Sequence, residues 1–432
     1  MFLTASAQPK GSFDPADLHP VSPITLLLLT STNMKLTALR STITAVCLTI
    51  GTPVLLYFGI LGALTARPSF QAHAIYLHKV TLTWFKDLNV PEQFGFAYNQ
   101  VKPFYVPTPD GERLHSWHIL PLRAYIDNQP ELLAQGSGLV DSFEETLNFK
   151  LLKNNPNARL VLYFHGTSGT IASGWRPDSY RSIYAADPIN THILAFDYRG
   201  YGKSSGEPSE GGIIQDALTI AAWAMEVAGI PPERIVIYGQ SLGSAVSIAL
   251  VNELVKREQK THFAGLVVTA TFSDVAQLAA TYRIGGVIPV LSPVAKVGPL
   301  FKYFTSRLTS TWDNQKRLGE IIELAEQFDI TLLHAEDDPI IPIGHSHRLF
   351  RHLINIAEEA EIYSDVDANE SLAERLKTRQ DSWGKGGSVL EWPTSKGTMR
   401  FVTLKYGAHD EIMSYTATSI AISKAFGSAS YF

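Results

Sequence analysis

Three separated stretches of the chain carry residue types that together could cleave an acyl bond. The first is VIYGQSLGSAV, Val236 to Val246, in which Ser241 sits in the pattern G-x-S-x-G. A serine hydroxyl is a poor nucleophile until a base takes its proton, and that base is commonly a histidine oriented by a carboxylate. The second stretch, LLHAEDDPIIP, ends an apolar run in Asp337 and Asp338; the third, VTLKYGAHDEI, reaches His409 just after another apolar run. Serine, acid and histidine therefore occur in the order expected when the nucleophile stands on a strand-to-helix turn and its partners lie at later strand ends.

The five-letter pattern recurs at GKSSG, Gly202 to Gly206, so by itself it does not choose between Ser241 and Ser204. The flanking elements do. RIVIY before Ser241 is strand-length and β-branched, SAVSIALVNELV after it is an apolar helix, and Gly239 and Gly243 let the chain turn and pack closely. Ser204 lies in RGYGKSSGEPSEGG, a glycine-rich loop with no strand directly before it and no apolar helix directly after it. It reads as loop structure.

Short apolar runs recur along the chain: RLVLYFHG, HILAFDYRG, RIVIYGQ, GLVVTAT, ITLLHAEDD and RFVTLKYG. Helix-length segments such as GGIIQDALTIAAWAMEVAG separate them, which predicts an α/β fold with a mostly parallel sheet and helices on both faces. Ahead of them, FYVPTPDGERLHSWHILP reads as a hairpin turning at Asp110-Gly111. In such sheets the chemistry gathers at the carboxyl ends of the strands. Asp338 is preferred to Asp337 as the acid because it directly precedes Pro339-Ile340-Ile341-Pro342, where the loop swings away. Two donors are needed for a developing oxyanion: the Leu242 N–H follows the nucleophile, and Thr167 lies in the glycine-rich turn of YFHGTSGT. His345 and His347 suit a helix start and His334 precedes the acid on its strand, with no carboxylate or cysteine set to complete a metal site. Neither a metal nor a cofactor is expected.

The chain has 432 residues, 45% of them hydrophobic, enough for a large core, and a net charge of -5 without a basic stripe. That excludes nucleic acid as the expected partner. Cys47 is the one cysteine, so an internal disulfide or a cysteine-built zinc site is out of reach. No charge occurs between Arg40 and Arg67, and the run 41–66 is long enough for a single-pass transmembrane helix, in which Gly51 and Pro53 are tolerable. The run is longer and deeper than a signal peptide's apolar region, although MKLTALR would form an n-region if translation began at Met34; a signal anchor is the better reading. The expected organisation is a tail over 1–40, the membrane helix over 41–66, an aromatic-rich juxtamembrane segment over 67–100 and a catalytic domain over 101–432. Two polar stretches, 123–148 and 364–388, look like surface insertions, and Asn369-Glu370-Ser371 in the second is a glycosylation sequon. The stretch 273–327 is apolar and sparsely charged, as a lid over an apolar pocket would be.

From Leu82 to the C-terminus the chain resembles the membrane-anchored lysophosphatidylserine and monoacylglycerol lipases of the alpha/beta-hydrolase domain-containing group. The resemblance rests on FKDLNVPEQFG, LHSWHILP, HGTSGT, FDYRGYGKSSGEPSEGG, YGQSLGSAV and LHAEDDPIIP. It implies the alpha/beta-hydrolase fold, an endoplasmic reticulum anchor with a lumen-facing catalytic domain, and hydrolysis of the acyl ester of single-chain glycerolipids such as monoacylglycerol or lysophospholipid. Gln240 departs from the histidine many relatives carry before the serine, and the context of His409 and both insertions also depart. These differences bear on the substrate head group. The expectation is a serine hydrolase in which Ser241 attacks, His409 shuttles the proton, Asp338 orients the imidazole, and Thr167 and Leu242 hold the oxyanion. An acyl-protein thioesterase or a peptidase would use the same triad. A catalytically inactive membrane scaffold is the non-enzymatic alternative, and the intact serine, aspartate and histidine argue against it.

Overall fold

A computed structural model describes residues 22–284, 288–361 and 372–427; the sequon at Asn369 and most of the first half of the second insertion lie outside these. Twelve strands are present among the described residues: β1 Val101–Pro107, β2 Arg113–Ile119, β3 Arg159–Phe164, β4 Thr191–Phe196, β5 Ile235–Gln240, β6 Gly265–Thr269, β7 Arg283–Ile284, β8 Ile288–Pro289, β9 Phe328–Ala335, β10 Gln380–Ser382, β11 Gly387–Thr394 and β12 Gly397–Leu404. Ten of them form one sheet in the order β1-β2-β4-β3-β5-β6-β9-β12-β11-β10, while β7 and β8 pair separately. The six apolar runs are β3, β4, β5, β6, β9 and β12, and all pair in parallel. The hairpin β1–β2 closes one side antiparallel to β4, turning through Gly111 at φ 93°.

Alternate residues of these strands enter two cores, as the two-residue period of a strand requires. Leu160, Leu162, Ile235, Ile237, Leu266, Val268, Ile330 and Leu332 pack on one face in the same cluster as residues of the helices Glu210–Ala222, Leu242–Val255 and Asn314–Leu324. Val161, Tyr163, Val236, Tyr238, Val267 and Leu333 face the other way, in a cluster with residues of the helices Arg176–Ala185 and Thr416–Ala425. Because both faces are covered, the central strands read as continuous apolar runs.

Strands β10 and β11 were not foreseen. Only Gly387, Val389 and Trp392 of β11 are buried, so it lacks the unbroken apolar run by which the inner strands announce themselves, and Pro393 further weakens its pattern. Within 273–327, the helix Asn314–Leu324 buries Leu318, Ile321 and Ile322 in the larger core, so this part is a core layer of the domain. The apolar excursion is carried by the shorter helices Val275–Thr281, Ser292–Ala295 and Gly298–Thr305. Stretch 123–148 likewise sends rings inward: Tyr125 is buried, and Phe143 stacks on Phe104 with ring centroids 4.1 Å apart.

Residues 1–66 form a unit of their own. Its described part is helical from Pro23 to Ala66, so helix occupies much of the expected tail; Ser22 caps it and Pro23 takes the first turn, where no N–H is required. The 37-residue helix Thr30–Ala66 contains an apolar stretch long enough to cross a membrane. A single π-helical turn, Cys47–Gly51, precedes Pro53, whose ring cannot coexist with a regular bond to the preceding turn.

Candidate active site

Ser241 stands between β5 and the helix Leu242–Val255, as its N-cap, with φ 56° and ψ -119°, a left-handed backbone that costs a non-glycine residue about 1–3 kcal/mol. The two glycines of the motif make this turn possible by what they lack. A Cβ on Gly243 would overlap the Phe164 carbonyl at the end of β3, and one on Gly239 would overlap the Gly243 carbonyl and Ser247 Oγ. Backbone spacing thus dictates G-x-S-x-G here. Leu242, at the first helical position, has no intrahelical acceptor for its N–H.

Asp338 and His409 meet directly: His409 Nδ1 lies 2.8 Å from Asp338 Oδ2. The other oxygen, Oδ1, accepts the N–H groups of Ile340 and Ile341 at 2.8 and 2.9 Å, which fixes the carboxylate plane. His334, on β9, points Nε2 at both the Ile341 carbonyl (2.9 Å) and Asp338 Oδ2 (3.3 Å), so that nitrogen carries the hydrogen, while Ser346 Oγ donates to Nδ1. Burial pushes the Asp338 carboxyl up, but the hydrogen bonds from His334 and His409 outweigh it and hold the group well below the usual carboxylate range. Neighbouring Asp337 acts on the backbone instead. Its Oδ1 accepts the Ala408 N–H at 2.8 Å, bracing the loop at a residue with φ 45°. Gln240, one residue before the serine, donates from Nε2 to the His409 carbonyl (3.1 Å) and to Asp410 Oδ1 (3.2 Å). The serine turn and the histidine loop are tied to each other by this amide.

Thr167 lies in the loop after β3, next to Gly166, where a Cβ would overlap Gln240 Oε1 and sit 3.3 Å from Ser241 Cβ. Its hydroxyl lies 2.8 Å from the carbonyls of both Ile75 and Tyr76, which share its one hydrogen, while its N–H has no acceptor among the described residues. Arg176, nearly buried, holds this loop from behind. Its guanidinium donates to the carbonyls of Gly166 (3.0 Å), Thr167 (3.4 Å), Ser168 (2.9 Å) and Thr170. Engaging four carbonyls on one side leaves the N–H groups of the same peptides to face elsewhere.

Residues 159–286 match the alpha/beta hydrolase fold family. The chain is 32% identical over 254 residues to protein bem46 of Schizosaccharomyces pombe, covering 57% of this chain and 73% of that one. The chain belongs to the alpha/beta-hydrolase family. It is also similar to lysophosphatidylserine lipase ABHD12 of Xenopus tropicalis, 29% identical over 317 residues (72% of this chain, 71% of that one), and of Rattus norvegicus, 30% over 302 residues (69% and 66%). Like these lipases, it is an ester hydrolase.

Sequence reasoning about this alpha/beta-hydrolase missed Arg176, His334 as a partner of Asp338, and the tie made by Gln240. His345 and His347 stay outside the site. His345 is bonded near Ser273 and Thr281, and His347 packs edge-on to Phe401.

Beneath the same loop, Asp197 is fully buried between His165 and His115, with Nε2 of the first 3.5 Å and Nδ1 of the second 4.0 Å away. His165 Nδ1 donates to the Gly166 carbonyl and His115 Nε2 to Asn89 Oδ1, so both rings turn lone pairs toward the carboxyl. Burial pushes Asp197 up to about 7, against the opposing Ile171 N–H and Arg176. An acid with a raised folded-state pKa contributes stability that is complete below its unfolded pKa and is lost as pH rises through the folded value. Asp197→Asn stays neutral and keeps the acceptor for Ile171. Its Tm is therefore expected to gain on wild type steadily between about pH 4 and pH 7 and to hold that lead above. A difference in Tm that does not vary with pH would contradict the assignment.

Proposed function

We propose that this chain hydrolyses the acyl ester of single-chain glycerolipids, lysophospholipid or monoacylglycerol, through a Ser241–His409–Asp338 triad. Ser241 Oγ attacks the ester carbonyl while His409 Nε2 takes its proton. The proton then passes to the departing glycerol oxygen, and water repeats the sequence on the acyl-enzyme. Asp338 holds the imidazole with its hydrogen on Nδ1. The N–H groups of Leu242 and Thr167 stabilise the oxyanion. The observation that carries this reading is the 2.8 Å bond between His409 and an Asp338 already satisfied by two backbone donors. Support for the lipid class comes from the relatives named lysophosphatidylserine lipase and from the apolar helix Thr30–Ala66.

The full chain in detergent or bilayer, offered monoacylglycerol, lysophospholipid, an acyl-cysteine peptide and a plain peptide, is expected to release fatty acid fastest from one of the first two. Preference for either peptide substrate would overturn the lipid assignment. Residues 41–66 are proposed to anchor the chain in the endoplasmic reticulum with the catalytic domain in the lumen. Protease protection of the domain in sealed microsomes tests this, and digestion without added detergent would refute it.

Arg176 is a positioning residue in this scheme. Arg176→Lys keeps the charge but not the fork, and is expected to lower kcat by about 10–100-fold with little change in KM. Turnover per active site titrated with a fluorophosphonate separates this from a folding defect. A merely structural role would reduce the titrated fraction and leave turnover per site intact.

A further inference from the structure

The segment 77–86 follows the helix Pro68–Tyr76 and has two sides of opposite character. On one side its main chain, with Tyr76 just before it, holds the loop that bears Thr167. The Tyr76 carbonyl accepts from Ser168 N–H (3.1 Å), the Val80 carbonyl from Gly169 N–H (2.5 Å) and the Thr81 carbonyl from Ser173 Oγ (2.8 Å). On the other side Leu77, Val80, Leu82 and Trp84 are exposed, and Phe85 is fully so. Leu82 and Phe85 also hold left-handed backbones, φ 54° and 62°, which bulky residues adopt only at a cost. Within the chain, that strain returns no burial of the side chains it displays.

The composition of this outer side selects its occupant. Two adjacent aromatics at a loop tip, flanked by exposed Lys79 and Lys86, match what settles at a membrane–water boundary, where rings sit at headgroup depth and lysines meet phosphates. The nearest carboxylate in sequence, Asp87, is engaged by Lys203 at 3.2 Å and by the Asn89 N–H. A groove of about 340 Å³ lies alongside, lined in part by Leu82, Trp84, Lys86 and Pro177. The segment also follows closely in the chain on Thr30–Ala66, the helix long and apolar enough to cross a membrane.

We infer that the segment 77–86 rests on a lipid bilayer surface, with Trp84 and Phe85 among the headgroups. The inference builds on the proposed action at membrane lipids and adds where the lipid is met. A single-chain lipid leaving the surface at Trp84 arrives beside the loop of Ser168 and Gly169, which the same segment holds.

Spectroscopy on the full chain tests this without using activity, so its outcome is independent of whether Ser241 hydrolyses lipid. With Cys47→Ser removing the one native cysteine, Phe85→Cys carries an environment-sensitive fluorophore in phospholipid nanodiscs. Lys385→Cys, at an exposed site, serves as the comparison. The expected result is blue-shifted emission at position 85, quenched by nitroxide-bearing lipids, and neither effect at position 385. Emission at 85 like that at 385 would overturn the inference. A blue shift without quenching would overturn it as well, because protein rather than lipid would then cover the segment. Trp84→Cys supplies a second labelled position if Phe85→Cys does not fold.

Discussion

Ser241→Ala is expected to lower ester turnover about a millionfold, because a catalytic serine and its base act as one unit and losing either removes the covalent route. The decoy gives the control. Ser204 Oγ donates to the Asp197 carbonyl at 2.6 Å and accepts the His115 N–H at 2.8 Å, so its hydroxyl is wholly occupied in joining a loop to β2. Ser204→Ala leaves those two backbone groups unsatisfied and is expected to cost about 1–3 kcal/mol of stability while turnover per folded molecule stays near wild type. Steady-state rates corrected for folded fraction compare the two variants. Equal losses in both would mean that the hydroxyl of Ser241 has no special role.

Asp338→Asn is expected to lower kcat about ten-thousandfold through the histidine's tautomer. An amide N–H placed where Oδ2 now stands would make His409 Nδ1 an acceptor and move the ring hydrogen to Nε2, the nitrogen that takes the serine proton in the proposed reaction. His334 Nε2 would meet the same conflict at 3.3 Å. Asp337→Asn keeps an oxygen for the Ala408 N–H, and its effect is expected to remain below about tenfold. These adjacent carboxyls share a strand end and differ in what they hold. The ratio of the two effects, measured with one substrate at saturation, therefore reads the assignment of the acid directly. Comparable losses would contradict it.

The central sheet was legible because six strands buried on both faces are written as unbroken apolar runs. The turn that carries Ser241 was legible because two glycines and a strand-to-helix switch surround it. Where burial is partial the signal fades, as in β11, and β10, three exposed residues, carries no apolar signal at all. Phe143 and the helix Asn314–Leu324 fell in stretches that look like excursions, yet their inward residues join the core; sequence spacing does not reveal which neighbour a helix meets. Among site residues, Asp338 could be preferred over Asp337 from the turn that follows it. His334 and Gln240 could not be placed, since their bonds depend on loops far away in sequence coming together. Arg176 illustrates the same limit: its partners are carbonyls, which every residue has, so no side-chain pattern announces them.

Every step of the proposed reaction depends on Ser241 as the residue that receives the acyl group. The most direct measurement is peptide mapping by mass spectrometry after the folded full chain has reacted with a fluorophosphonate probe. One adduct is predicted, on the peptide containing Ser241, absent from Ser241→Ala and slowed in Asp338→Asn. Folded wild-type protein that stays unlabelled, or that carries the adduct on Ser204, would contradict that role.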